Sequence, residues 1–190
     1  LNTNMNAIAG QHYTTNSGIL VFQEAEAVQS YTIVLTNDVV TNANRFLLNQ
    51  LSNPTNVIGT VATNDASLIA GSLTNATLEI INDDSLIGFA FATFSVSENL
   101  VGGNAVIIVN RVGSTSGAAT VNFSTSNLTA TAGLDYVATN GILSFSNGQA
   151  TATILVPVLD DTVVEGIERI SLSLTNPSPA GVASLGLFSA

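Results

Sequence analysis

Apolar and polar residues alternate with a period of two along much of this chain, the pattern of strands that bury one face. Val121 and Phe123 alternate with Asn122 and Ser124, and Leu143 and Phe145 with Ser144 and Ser146. Ile170, Leu172 and Leu174 alternate with Ser171 and Ser173. Thr151 to Leu159 reads as a further strand, and Pro157 within it predicts an edge position or a bulge, because proline has no N–H for the ladder. Asn147-Gly148 predicts a hairpin turn that needs positive φ. Helical three-to-four spacing is scarce. Short strands at regular intervals with turn residues between them predict an all-β sandwich.

The pattern also repeats. Gly10 to Pro54 aligns without a gap on Gly133 to Pro177, at a spacing of 123 residues (133 minus 10). Tyr13 falls on Tyr136, Gly18-Ile19-Leu20 on Gly141-Ile142-Leu143, Phe22 on Phe145, Asp38 on Asp161 and Asn53-Pro54 on Asn176-Pro177. Ala66-Ser67-Leu68 matches Ala183-Ser184-Leu185 at a spacing of 117 (183 minus 66), so the first copy carries six more residues after Pro54. The expected organisation is therefore two tandem sandwiches, residues 1–84 and 85–190, with the boundary after Asp83-Asp84. The first copy is expected to lack its front strands and the second its last strand. An open edge of that kind would be a template for strand addition from a neighbouring chain.

Composition narrows the function classes. The formal net charge is -10 with only three Arg and no Lys, which argues against nucleic acid and anionic membrane surfaces. No apolar run approaches the length that spans a bilayer as a helix. There is no Cys, so neither disulfides nor thiolate metal sites are available. Low charge with abundant Asn, Thr, Ser and Gly suggests an extracellular or cell-surface protein. The opening at Leu1, without an initiator Met, fits a processed or excerpted product.

Against this sparse background one stretch stands out. Asp160-Asp161-Thr162-Val163-Val164-Glu165-Gly166-Ile167-Glu168 carries four carboxylates between two strand patterns. Carboxylates so close repel one another, and a hard divalent cation, Ca²⁺ above all, offsets that repulsion with oxygen ligands. From Ser85 to Ala190 the acids are Glu98, Asp135, Asp160, Asp161, Glu165 and Glu168, and no others. A merely solvated face would scatter them along the strands.

The second copy resembles the Calx-beta domain, an immunoglobulin-like Ca²⁺-binding module. The motifs that carry the resemblance are Phe94-Ser95-Val96-Ser97-Glu98, Ala132-Gly133-Leu134-Asp135-Tyr136, Gly141-Ile142-Leu143-Ser144-Phe145, Asn147-Gly148, and the acidic segment leading into Ile170 to Pro177. The resemblance implies tandem immunoglobulin-like antiparallel sandwiches, each seven-stranded with a Ca²⁺ cluster at one end, and an opening strand at Phe94 to Glu98. It implies metal ligands at Glu98, Asp135, Asp160, Asp161, Glu165 and Glu168, with the backbone carbonyl of Val163. Family sites also use an Asp run after the last strand, which the first copy has as Asp83-Asp84. In the first copy His12, Asn37, Asn42 and Arg45 stand where the second has Asp135, Asp160, Glu165 and Glu168. That copy is expected to be a spacer without a site.

Other candidates are weaker. His12, the only His, is expected to be a polar loop residue. Glu24 and Glu26, beside a hairpin, are expected to face solvent on a strand, and Gly113 to Gly117 places Thr115 where a nucleophile elbow needs Ser. No constellation indicates an enzyme. The main expectation is a structural or adhesive Ca²⁺-binding repeat of a surface protein, fibre or sheath, whose partners are neighbouring repeats of the same or an identical chain, including a homopolymer. The alternative is a regulatory Ca²⁺ sensor within a larger transporter or signalling protein.

Overall fold

The computed structural model describes residues 2–52, 56–58, 61–63, 74–99 and 103–186. Asn53-Pro54 and the Ala66-Ser67-Leu68 match lie outside these. The chain divides into two compact units, residues 1–37 with 43–82, and residues 38–42 with 83–190. The elements among the described residues are strands, joined by turns and irregular segments. None is a helix long and apolar enough to cross a membrane.

In the first unit, β1 (Asn2–Asn4), β2 (Arg45–Gln50) and β5 (Asn75–Ile80) form an antiparallel sheet in the order β1-β2-β5. The short strands β3 (Asn56–Ile58) and β4 (Val61–Thr63) pair with each other. Its core is small: Ala7, Tyr13 and Leu47, with Ala9, Ile33, Leu78 and Ile80 packed against them.

The second unit is a two-layer sandwich. One sheet has the order β10-β7-β6-β12, from β10 (Thr151–Pro157), β7 (Asn104–Gly113), β6 (Ser85–Phe89) and β12 (Ala183–Leu185). The other has the order β11-β8-β9, from β11 (Ile170–Ser178), β8 (Ala119–Asn127) and β9 (Asn140–Phe145). Alternation builds the core. Ala105, Ile107 and Val109 of β7 point inward with Ile154 and Val156 of β10, and meet Ala119, Val121 and Phe145 from the facing sheet. Arg111 ends the inward row of β7 and is buried. Its guanidinium donates to the carbonyls of Ser116 (3.0 Å) and Gly117 (2.9 Å), fixing the β7–β8 connection, and burial lowers its pKa.

Three expectations are corrected. Phe94 to Glu98 is not a strand: the sheet position is taken by β6, while Phe94 packs edge-on against Phe89 and Phe91. The sandwich is not wholly antiparallel, because β12 runs parallel to β6. Asn147-Gly148 does turn with Gly148 at φ +80°, yet it joins β9 to β10 across the two layers, so it is no hairpin within one sheet. His12 lies in a turn, as expected of a polar loop residue, and is buried there. Pro157 closes the edge strand β10 opposite Asn104, an edge position as its missing N–H requires.

Candidate metal centre

The site is built by three irregular segments at the end of the second sandwich where β10 stops. The first is the turn 131–136. Asp135 donates its backbone N–H to the Thr131 carbonyl (3.0 Å), and its side-chain Oδ2 accepts the Thr131 N–H (2.6 Å). The turn is anchored from below by Tyr136, buried, whose hydroxyl donates to Asn127 Oδ1 (2.7 Å). Leu159 N–H donates to the Asp135 carbonyl (2.9 Å), tying the start of the second segment, the acidic loop, to the turn. Within that loop Asp161 Oδ1 accepts the Val163 N–H (2.6 Å), a local turn of the Asx type. The third segment supplies Glu98, whose Oε1 accepts the Asp161 N–H (3.2 Å).

These anchors gather the carboxylates. Asp135, Glu165 and Glu168 each offer an oxygen, and the three oxygens lie within 4.8 Å of one another. Glu165 is held above the ordinary glutamate pKa by desolvation and by the charges of Asp135, Asp161 and Glu98. Glu168 is raised too, by desolvation, by a side-chain hydrogen bond with Asp135, and by the charges of Asp135, Glu165 and Glu98. Desolvation and like charges both disfavour the ionised carboxyls, and a cation offsets the same repulsion. Glu98 and Asp161 thus belong to the same electrostatic group as the triplet. Asp160 is exposed at the loop's start and stands outside the triplet.

The donor set fits Ca²⁺. It is all oxygen and carboxylate-rich, as a hard cation taking about six to eight oxygens requires. It contains no imidazole or thiolate of the kind zinc prefers.

The first copy shows what the replaced residues do. His12, at the place of Asp135, accepts the Ile8 N–H through Nδ1 (2.7 Å), and its own N–H donates to the Ile8 carbonyl (2.9 Å). It therefore keeps the turn-capping half of the Asp135 role, with the proton on Nε2, and drops the carboxylate. Asp38 likewise keeps the Asx turn, accepting the Val40 N–H (2.8 Å). Sequence reasoning missed this second duty of position 12; the repeat register was the signal that pairs it with Asp135. Asp38 also meets Asp84 in the second unit. The buried Asp84 is raised by desolvation, by the charges of Asp38 and Asp83, and by a side-chain hydrogen bond with Asp38. Asp38, Asp83 and Asp84 are not a mutually close ligand triplet. Glu24 and Glu26 are exposed, as expected, but neither is on a strand: Glu24 is in a turn, and Glu26 beside it accepts the Gln23 N–H (2.9 Å), the bond that chiefly lowers its pKa.

An immunoglobulin-like sandwich with a carboxylate cluster at one end defines a class of metal-binding module, and comparison with known proteins gives the family. The sequence model of the Calx-beta domain matches residues 2–84 and 80–186, so this chain belongs to the Calx-beta domain family, whose function is to bind Ca²⁺. The adhesion G-protein coupled receptor V1 of Danio rerio is 30% identical over 175 residues, covering 89% of this chain and 3% of the receptor. Sodium/calcium exchanger 1 of Canis lupus familiaris is 32% identical over 122 residues, covering 63% of this chain and 12% of the exchanger. Among solved structures, the apo-form Calx CBD1 domain superposes with a TM-score of 0.51 at 33% identity, covering 55% of this chain and 88% of that one. The chain thus spans only a small part of the receptor and exchanger it matches.

Proposed function

We propose that this chain is a Ca²⁺-responsive module of a larger protein, in which the second unit binds the ion and the first transmits or spaces. The observation that carries the reading is the Asp135, Glu165 and Glu168 triplet, with oxygens within 4.8 Å and two of the three carboxyls raised by desolvation and by their neighbours. Those three residues would hold Ca²⁺, with Glu98 and Asp161 completing the group. When bound, the ion supplies positive charge. The chain's own residues do the rest. Asp135 links ion to turn through its bond to Thr131, and Glu98 links the segment before β7 to the loop through Asp161 N–H. A loop held by repelling carboxylates becomes a loop held by attraction, which orders the end of the sandwich.

Regulation is the better supported use. The exchanger relative is named for the ion it carries, and a module that changes order with Ca²⁺ level suits control of such a protein. A module of an adhesion receptor is the second reading, favoured by the match that covers most of this chain. Assembly into a fibre or homopolymer has weaker support, since neither relative is named as one. The test is a Ca²⁺ titration of the full chain followed by hydrogen exchange in residues 159–168. Half-maximal ordering at or below micromolar free Ca²⁺ supports a sensor, because sensors work in that range. Ordering only at millimolar Ca²⁺ supports the extracellular adhesive reading instead.

A further inference from the structure

We infer that the outer face of the β10-β7-β6 sheet is a self-association surface, covered face to face by the same surface of a second copy of this chain. A sheet with one face in water alternates apolar with polar residues, whereas one covered on both faces reads as near-continuous apolar runs. The two sheets of the second unit differ in this respect. In β11 and β8 the inward residues pack in the core, and Ser171, Ser173, Thr175, Asn122, Ser124 and Ser126 point outward. Ser124 and Ser173 even bond hydroxyl to hydroxyl (2.7 Å) on that side, the ordinary dress of a solvated face.

The β10-β7-β6 sheet does not alternate. Between the buried residues Ile107, Val109, Ile154 and Val156 stands an outward row that is aliphatic too. Val106 and Leu155 are direct cross-strand neighbours, 54% and 52% exposed. Ile108 follows along β7, and Val112, 48% exposed, lies opposite Leu86 of β6. Between these, Gly88 opposite Asn110 adds no side chain of its own. Water gains nothing from such a row, and within one copy it stays open.

Charge and area select the occupant. Among the described residues no charged side chain stands on this face, so it offers nothing to a charged partner. Two copies of a chain with net charge -10 repel one another, and least where no carboxylate has to approach. Asp83 and Asp84 precede β6, and the metal centre lies beyond the end of β10, both off the face. An uncharged aliphatic sheet face is matched by another like it, packed about 10 Å away, and a two-fold pairing sets each face on its own copy. Three strands about 4.8 Å apart and the seven residues of β10 at about 3.4 Å each give a face of roughly 350 Å². A pair buries about twice that, below the roughly 1,200 Å² of stable complexes, so the association is reversible and concentration-dependent.

Sedimentation velocity of the full chain in chelator, from about 10 μM to about 1 mM, tests this. The weight-average sedimentation coefficient is expected to rise with concentration toward a dimer. Val106→Asp/Leu155→Asp should weaken association at least tenfold and leave the melting temperature unchanged, because both side chains are exposed. Ile142→Asp, at an exposed site on the other sheet, keeps the rise. Mixing the Val106→Asp/Leu155→Asp chain with a Val106→Lys/Leu155→Lys chain should restore association that neither shows alone, a readout that misfolding of either variant cannot produce. A chain that stays monomeric throughout, association that the double Asp variant keeps, or equal loss with Ile142→Asp overturns the proposal. A monomer that instead floats with phosphatidylcholine vesicles through Val106 and Leu155 assigns the face to a lipid surface and overturns it too.

Discussion

Phe145 and Phe22 occupy one position of the repeat in two environments, so truncating each to alanine separates burial from identity. Phe145 has no exposed surface and sits in the core with Ala119, Val121 and Ile107. Removing a fully buried ring costs about 3 to 5 kcal/mol, combining lost transfer energy and the cavity left behind. Phe22 is 54% exposed and leaves no enclosed cavity. Only part of a transfer term of about 1.5 to 3 kcal/mol is at stake there, so the expected cost is about 1 kcal/mol or less. Urea unfolding followed by far-UV circular dichroism measures both. With a slope of about 1 to 3 kcal/mol/M, Phe145→Ala should move the second unit's midpoint by roughly 2 M and Phe22→Ala the first unit's by a few tenths. Equal losses for the two substitutions would refute the assignment of the sheets, because they would require Phe22 to be packed like Phe145.

Three further outcomes follow. Glu165 and Glu168 have raised folded pKa values, so just above the ordinary glutamate range the folded state holds more protons than the unfolded one. Thermal midpoints in chelator should therefore fall as pH rises from about 4 to 6, and millimolar Ca²⁺ should reverse the slope; a chelator profile rising with pH across that window in the second unit contradicts the crowding. Asn127→Ala removes the acceptor of the Tyr136 hydroxyl and of the Ala132 N–H, and should cost about 1 to 3 kcal/mol by chemical denaturation, while Asn122→Ala on the same strand costs little. Gly113→Ala should destabilise the second unit by more than 1 kcal/mol: φ there is +90°, and an added Cβ would fall 2.6 Å from the Asp84 carbonyl oxygen and 2.7 Å from Thr41 Cγ2.

Much of this architecture is legible in the sequence because its signals are local. Period-two alternation finds β8, β9, β10 and β11, and Gly148 marks a turn that only positive φ permits. The parallel pairing of β12 with β6 is not local: it depends on which sheet edge receives residues 183–185 after a bulge in β11, and no spacing rule fixes that. Phe94 to Glu98 misleads for the same reason. Its apolar residues fit a strand, but the place beside β7 is already filled by Ser85–Phe89. The acidic positions are legible as a set, while their geometry is not. Glu165 and Glu168 meet Asp135, thirty or more residues away, only because the turn at 131–136 and the end of β10 are bonded together. The turn-capping duty of Asp135, which His12 shares, is invisible until backbone partners are known.

Ca²⁺ binding by the second unit through the group around Asp135 is read directly by isothermal titration of the chelated full chain with CaCl₂, beside an Asp135→Asn/Glu168→Gln variant. Saturable binding is expected that the variant loses, while its melting temperature in chelator is kept or raised because like charges have been removed. Binding of equal strength in both chains would place the ion elsewhere and refute the assignment of these carboxylates.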